Sequence, residues 1–375
     1  MIITILHSTL SRTISYINSK MIFRAAIASI PLLGSAVASP LNQPPLKPSD
    51  QKVSPARGPS FIFNETSPTV EPDFHIESVQ AYSLQETYDA SNWFSKFDVE
   101  NIADPTHGFV NYVNQATAQS KGLYRTQNNQ VYIGVDSSTV LSPNGVGRDS
   151  VRLKSNQAYT HGLVIADFAH VPGSICGSWP AFWMVGPNWP NQGEIDIYEG
   201  VHLNTYNQMT LHSSPGCVPV YDQNGGQTGT HVSEADCGAG GGFNGCGVLS
   251  NSPTSYGTAF NANGGGVYAT LWTSSGIKVW NFAARDVPAN IRSGNPDPNT
   301  WGTPQANFAG CNFDAQFSNM NIIFDITFCG DWAGAVWGTT SCASINPSCN
   351  AYVAQQPQSF GESYWLVNSI KVYSV

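Results

Sequence analysis

Charge is scarce in this chain. Of its 375 residues only 11% are Asp, Glu, Lys or Arg, and the formal net charge is −9. Basic runs are absent, which excludes the electrostatic footprint of a nucleic-acid binder or of a protein held on an anionic membrane. A neutral glycan meets no comparable repulsion and fits this balance better. Beyond Val37 no apolar run reaches the length of a membrane span, so no stable membrane association is expected. Long stretches with a 3.6-residue apolar period are also missing, which argues against a helical architecture. No Cys-x-x-Cys pair, phosphate-binding loop, dinucleotide fingerprint, convincing Ser–His–Asp set or internal repeat is evident. Nothing therefore calls for a metal or a cofactor.

What the chain has instead is turn chemistry and short apolar runs. From about residue 76 onward it is rich in Gly, Asn, Ser, Thr and aromatics. Apolar runs recur between turn signals at Val131–Val135, Leu163–Phe168, Val267–Trp272, Ile277–Trp280 and Met320–Ile326. Many short strands at turn-rich spacing predict an all-β sandwich, with residues 76–375 forming one large domain.

The beginning of the chain reads as targeting rather than fold. An apolar run from Ala25 to Val37 ends in Ala36-Val37-Ala38, a small-residue cleavage site, and predicts a signal peptide over 1–38. Residues 1–20 lack an apolar stretch, so translation starting at Met21 is consistent with this reading. Residues 39–75 are rich in Pro, Ser and Lys and read as a propeptide or extended linker. Asn64-Glu65-Thr66 is a glycosylation sequon in that segment. The eight cysteines, at 176, 217, 237, 246, 311, 329, 342 and 349, all lie in the predicted domain. An even count behind a signal peptide predicts up to four disulfides in a secreted protein, with the pairing left open.

One stretch concentrates the scarce charge. Gly193-Glu194-Ile195-Asp196-Ile197-Tyr198-Glu199-Gly200 places three carboxylates within six residues. Ile195 and Ile197 alternate with Glu194 and Asp196, the period-2 pattern of a strand with one apolar face. Strict alternation would turn Glu199 to the opposite face. A β-bulge returns it, and bulges recur beside active sites. Four paired positions then separate the glutamate backbones by roughly 13 Å, at about 3.3 Å per residue. Side chains leaning together would bring the carboxylates near the roughly 5–5.5 Å of a retaining glycosidase. Crowding three acids should raise the pKa of at least one and share protons across the set. An exposed acidic strand or a calcium site of three carboxylates would use the same residues.

The surroundings narrow the choice. Gly177-Ser178-Trp179-Pro180-Ala181-Phe182-Trp183-Met184 and Trp189-Pro190 precede the acids, and Gln208-Met209-Thr210-Leu211-His212 follows them. Together they resemble the laminarinase-type enzymes of glycoside hydrolase family sixteen, specifically the fungal endo-1,3(4)-β-glucanases. The likeness extends over most of residues 76–375, including Ala103-Asp104-Pro105-Thr106-His107-Gly108 and Trp301-Gly302-Thr303-Pro304-Gln305-Ala306. It implies a β-jelly roll (concanavalin-like) with an open substrate cleft on its concave sheet. It also implies that Glu194 is the nucleophile and Glu199 the general acid/base, with Asp196 assisting. The residue inserted before the second glutamate resembles the laminarinase branch, which implies substrates containing β-1,3 linkages.

Aromatic rings suit sugars because a pyranose packs its C–H face on a flat apolar surface. Trp183, Trp189 and Trp332 are the candidate platforms, and core packing is the competing role for each. His212 shares a strand face with Thr210 and is a candidate partner for an acid or a sugar hydroxyl. The glycine-rich stretch 238–247 reads as a disulfide-braced loop on the cleft rim. The leading expectation is a secreted, monomeric endo-β-glucanase acting on β-glucan polysaccharide by double displacement. Transglycosylation by the same site, a non-catalytic glucan-binding protein and a structural wall protein are the alternatives.

Overall fold

A computed structural model of the protein describes residues 82–221 and 226–375. The expected signal peptide, the Pro-rich segment and the Asn64 sequon lie outside those residues. Within them the chain forms two eight-stranded sheets and one two-stranded pair. Helices are short. The longest α-helix among the described residues, Cys349–Gln355, has seven residues. None is long and apolar enough to cross a membrane.

The sheet that carries the acids runs in the order Thr230–His231, Cys246–Leu249, Gln208–His212, Glu194–Glu199, Ser178–Val185, Met320–Phe328, Leu153–Tyr159 and Phe97–Val99. The other runs Ala306–Ala309, Gly276–Ala283, Gly266–Thr273, Gly162–His170, Tyr364–Tyr373, Gln130–Gly134 and Tyr124–Gln127, with Leu84–Tyr88 also paired to Tyr364–Tyr373. Every pairing in both is antiparallel. The fold is the expected jelly-roll sandwich, and all five apolar runs singled out above are strands in it.

Alternation sorts each strand of the acid-bearing sheet into two faces. Phe182, Met184, Ile195, Tyr198, Leu211, Ile322, Phe324 and Ile326 point inward and are buried. The inner layer is largely aromatic: Phe182 meets Phe168 edge-on at 5.4 Å, and Phe324 and Tyr198 meet Trp365 at 5.4 and 5.0 Å. Burying each such side chain contributes about 1.5–3 kcal/mol. This layer ties the sheet with the acids rigidly to the one behind it. A second, smaller cluster around Trp280 and Trp301, whose rings meet edge-on at 5.4 Å, packs elsewhere. The first residue of the Trp301–Ala306 motif thereby packs in a core.

All eight cysteines are paired, as 176–342, 217–311, 237–246 and 329–349. The glycine-rich loop is braced by Cys237–Cys246, as its flanking cysteines suggested.

Candidate active site

The strand Glu194–Glu199 is regular up to Asp196 and irregular after it. Against Ser178–Val185, Glu194 pairs with Val185 and Asp196 with Trp183, but Tyr198 pairs with Phe182 and Glu199 with Ala181. Ile197 is the extra residue, a β-bulge that resets the parity. Val185, Trp183 and Ala181 alternate along a regular strand, so Glu194, Asp196 and Glu199 all stand on the outward face. Gly193 starts the strand with φ +75°, and a Cβ there would lie 2.3 Å from the Phe317 ring. Only glycine lets the chain enter the strand this way.

Neighbouring strands extend the rows. His212 pairs with Glu194 and Thr210 with Asp196, while Asp325 stands opposite Ala181 and Ile323 opposite Trp183. His212 Nδ1 donates to the Gly242 carbonyl at 2.6 Å, which turns Nε2 toward the acids. That nitrogen lies 3.2 Å from Asp196 Oδ2 and 3.8 Å from Glu194 Oε1. Burial alone would lower the His212 pKa, but Glu194 and Asp196 outweigh it and push it up to about 10. The ring is a cation wedged against two carboxylates.

The two glutamates differ. Burial, then the Asp196 charge, lifts Glu194 to about 8, while the His212 and Arg152 cations hold it down. Burial and Asp196 push Glu199 well above the usual carboxylate range. Two groups hold it down: first Trp179 Nε1, which donates to Glu199 Oε1 at 2.8 Å, and then the His212 cation. Of the two, Glu194 releases its proton first. Asp196 is nearly fully buried, and its contact is to His212 rather than to Glu194.

Aromatic rings frame both ends of the acid row. At the Glu194 end, Trp189 sits half-buried against the exposed Phe243 of the glycine-rich loop, with ring centres 5.0 Å apart. Gly245 of that loop lies so close to His212 that a Cβ would meet Cε1 at 2.6 Å. At the Glu199 end, Trp332 meets Trp179 edge-on at 5.7 Å. Asp104 holds that end together, accepting from Gly108 N and Thr106 Oγ1 at 2.8 Å and from Thr327 Oγ1 at 2.7 Å. Trp183 is outward and half-buried, with the Arg152 guanidinium 4.9 Å from its ring centre. Arg152 in turn is paired with Asp325 at 2.6 Å and Glu100 at 2.8 Å. Burial lifts Asp325 to about 6 even beside that cation.

Trp183, Trp189 and His212, expected from the sequence, thus join the three acids on one face, and Trp332 joins them through Trp179. Reading the sequence missed Trp179, Arg152, Asp325 and Phe243 as parts of the site. Trp179 was within reach, because it has the same strand parity as Trp183. Arg152 and Phe243 carry no local signal. Among the described residues, Glu194, Asp196 and His212 form the one cluster whose donor atoms, all within 4.8 Å of one another, suit a metal ion. In the protonated ring, the Nε2 proton already supplies positive charge to the two carboxylates.

A strand-borne row of acids with aromatic flanks thus stands on the outer face of an antiparallel sandwich. The family model described as "XgeA-like, catalytic GH16 domain" matches residues 97–373, and the chain belongs to glycoside hydrolase family sixteen. It is 46% identical over 303 residues to a protein of Aspergillus fumigatus named "Probable endo-1,3(4)-beta-glucanase", a match covering 78% of this chain and 46% of that one. The chain therefore spans about half the length of that relative. Among solved structures it resembles an elongating family-sixteen β-1,3-glucosyltransferase, with 44% identity and a TM-score of 0.73 over 78% of this chain and all of that one. It also resembles Laminarinase 16A of Phanerochaete chrysosporium, solved with two β-glucans in its donor and acceptor sites. That pair shares 41% identity with a TM-score of 0.72, over 78% of this chain and 100% of the other.

Proposed function

We propose that this protein is a secreted endo-β-glucanase that hydrolyses internal β-1,3 or β-1,4 bonds of β-1,3(4)-glucans by a retaining double displacement. The observation that carries this reading is the bulge at Ile197, which puts two glutamates of unequal proton affinity on one face of one strand. Glu199, the stronger proton holder, gives its proton to the departing glycosidic oxygen. Glu194, which ionises first and faces the His212 cation, attacks the anomeric carbon and forms a glycosyl-enzyme. Glu199, now ionised, takes a proton from the incoming water, and the sugar leaves with its original configuration. Asp196 keeps His212 charged, although its own charge works against ionisation of Glu194. Trp183, Trp189 and Trp332 serve as sugar platforms. The four disulfides and the predicted signal peptide over 1–38 support export, with 39–75 as propeptide or linker and 76–375 as the catalytic domain.

Azide separates the two glutamates. In Glu199→Ala, a substrate with an activated leaving group should still glycosylate Glu194, and the intermediate should then decay slowly for want of a base. Azide needs no base, so it should restore turnover and give a β-glycosyl azide. In Glu194→Ala no glycosyl-enzyme should form, and azide should attack directly to give the α-product. Exchanged products would exchange the roles, and no rescue in either variant would remove the retaining mechanism. A second reading is favoured by the 44% identity to a glucosyltransferase: a sugar hydroxyl replaces water in the second step. Products longer than the starting laminarin oligosaccharide would establish it.

A further inference from the structure

The bulge that brings Glu199 into the site has its own support. On one side, Glu194–Glu199 is paired along its length with Ser178–Val185. On the other, the ladder with Gln208–His212 covers only Glu194, Ile195 and Asp196. Beyond Asp196 the main chain needs other hydrogen-bond partners, because an unpaired buried peptide group is costly. A single side chain supplies two. Asn207 Nδ2 donates to the Ile197 carbonyl at 2.8 Å, and Asn207 Oδ1 accepts from the Glu199 N–H at 2.8 Å. The carboxamide spans the two peptide groups on either side of Tyr198 and replaces a missing rung.

Asn207 is itself fully buried and fixed. Its N–H donates to Ser255 Oγ at 3.0 Å, its carbonyl accepts from Ser250 N at 2.8 Å, and Ser255 Oγ donates onward to the Ser252 carbonyl at 2.7 Å. Among the twenty side chains only an amide of this length offers a donor and an acceptor side by side here. An aspartate has two acceptors, one of which would face the Ile197 carbonyl. Asn207 reaches neither Glu194 nor Asp196, whose backbones are held by ordinary strand pairing on both sides.

We propose that Asn207 is a positioning residue that locks the Ile197 bulge and thereby sets where Glu199 presents its proton, without touching the other two acids. The proposal rests on the acid/base reading of Glu199, so Glu199→Ala is measured beside it. Loss of the clamp should damage proton delivery and leave the nucleophile intact. For Asn207→Ala, kcat on laminarin should fall about a hundredfold, the scale of a displaced general acid. Glycosylation by an aryl laminaribioside with an activated leaving group should stay within a few-fold of wild type, and azide should speed the slowed second step. For Asn207→Asp, protonation of the new carboxyl restores a donor to the Ile197 carbonyl. Its activity relative to wild type should therefore rise as the pH falls through the carboxyl range. An equal loss on both substrates, or no loss on either, would overturn the proposal. If Asn207→Ala does not fold, a flat Asn207→Asp to wild-type ratio across pH overturns it instead. Should Glu199→Ala itself show no dependence on the leaving group, the acid/base reading fails and the clamp falls with it. A leaving-group effect in Glu199→Ala without one in Asn207→Ala defeats the clamp alone.

Discussion

The two ends of the acid row are held by different chemistry. At the Glu194 end the support is ionic: a His212 cation lies between two carboxylates, and its far nitrogen is tied to the Gly242 carbonyl of a disulfide-braced loop. At the Glu199 end the direct support is neutral, an indole N–H on the carboxylate and an asparagine amide on the backbone, and the His212 cation comes second to it. Two glutamates on one strand, both buried beside Asp196, thereby acquire unequal proton affinities. A cation favours the ionised form strongly, whereas a neutral donor favours it weakly. Chemically identical side chains can thus be prepared for opposite roles by their neighbours.

The sharpest way to break that comparison is to remove one support at a time and follow the pH profile. His212→Asn removes a cation that holds down both glutamates and lies nearer Glu194, so the acidic limb of kcat/KM should move to higher pH and the alkaline limb should follow by less. An opposite charge at this range shifts a carboxylate by roughly one unit or more, a tenfold or greater loss on the acidic side. Trp179→Phe removes a donor that stabilises the charged form of Glu199. Glu199 then holds its proton longer, so the alkaline limb should move upward by less while the acidic limb stays. An alkaline limb that moves as far as the acidic one in His212→Asn, or an acidic limb that moves in Trp179→Phe, would show that the ends are not separately controlled.

A smaller effect is expected from the aromatic rings. Trp189→Ala should raise KM on long laminarin oligosaccharides while leaving the melting curve unchanged, and Trp332→Ala should do the same from the other end. Losing a stacked ring costs roughly 1–3 kcal/mol in nucleic-acid systems, and about tenfold in KM is the expected scale here. The two losses should add, because the rings lie at opposite ends of the row and share no partner. If Trp189→Ala leaves the kinetics on every oligosaccharide unchanged, that ring is not a platform.

How much of this was legible before the structure follows from what each feature depends on. The strands at 131, 163, 267, 277 and 320 were legible because short apolar runs recur between turn signals, and most of the residues in those runs are buried. The bulge was legible for a chemical reason: three acids in this spacing serve one site only if parity is reset, and it is reset at Ile197. The cation was half legible, since His212 was placed on the right strand and face but its partner was unknown. Arg152 and Phe243 were not legible, because their positions depend on strands and loops distant in sequence. Nor was the clamp: Asn207 precedes an unremarkable strand, and only the register of its neighbour leaves the Ile197 carbonyl and Glu199 amide in its reach.

The smallest predicted effect tests the same asymmetry through stability. A carboxyl whose folded pKa is raised stays protonated in the fold while the unfolded chain ionises. Below the unfolded value, near 4.5, both states hold the proton and nothing is lost. As the pH rises toward the folded value, ionisation favours the unfolded state, and stability falls. Replacing such a group by Gln removes that penalty. Glu199→Gln should therefore leave Tm nearly unchanged at pH 4 and raise it by a few degrees at pH 7, on a scale of about 2–4 °C per kcal/mol. Glu194→Gln should gain less, because Glu194 is pushed up less far. The His212 ring, itself raised to about 10, contributes stability below its unfolded value and loses it only as the pH climbs through the folded one. Scanning calorimetry at both pH values decides it. A Tm gain in Glu199→Gln that is the same at pH 4 and pH 7 would assign the effect to packing rather than ionisation, and equal gains in the two variants would remove the asymmetry between the ends.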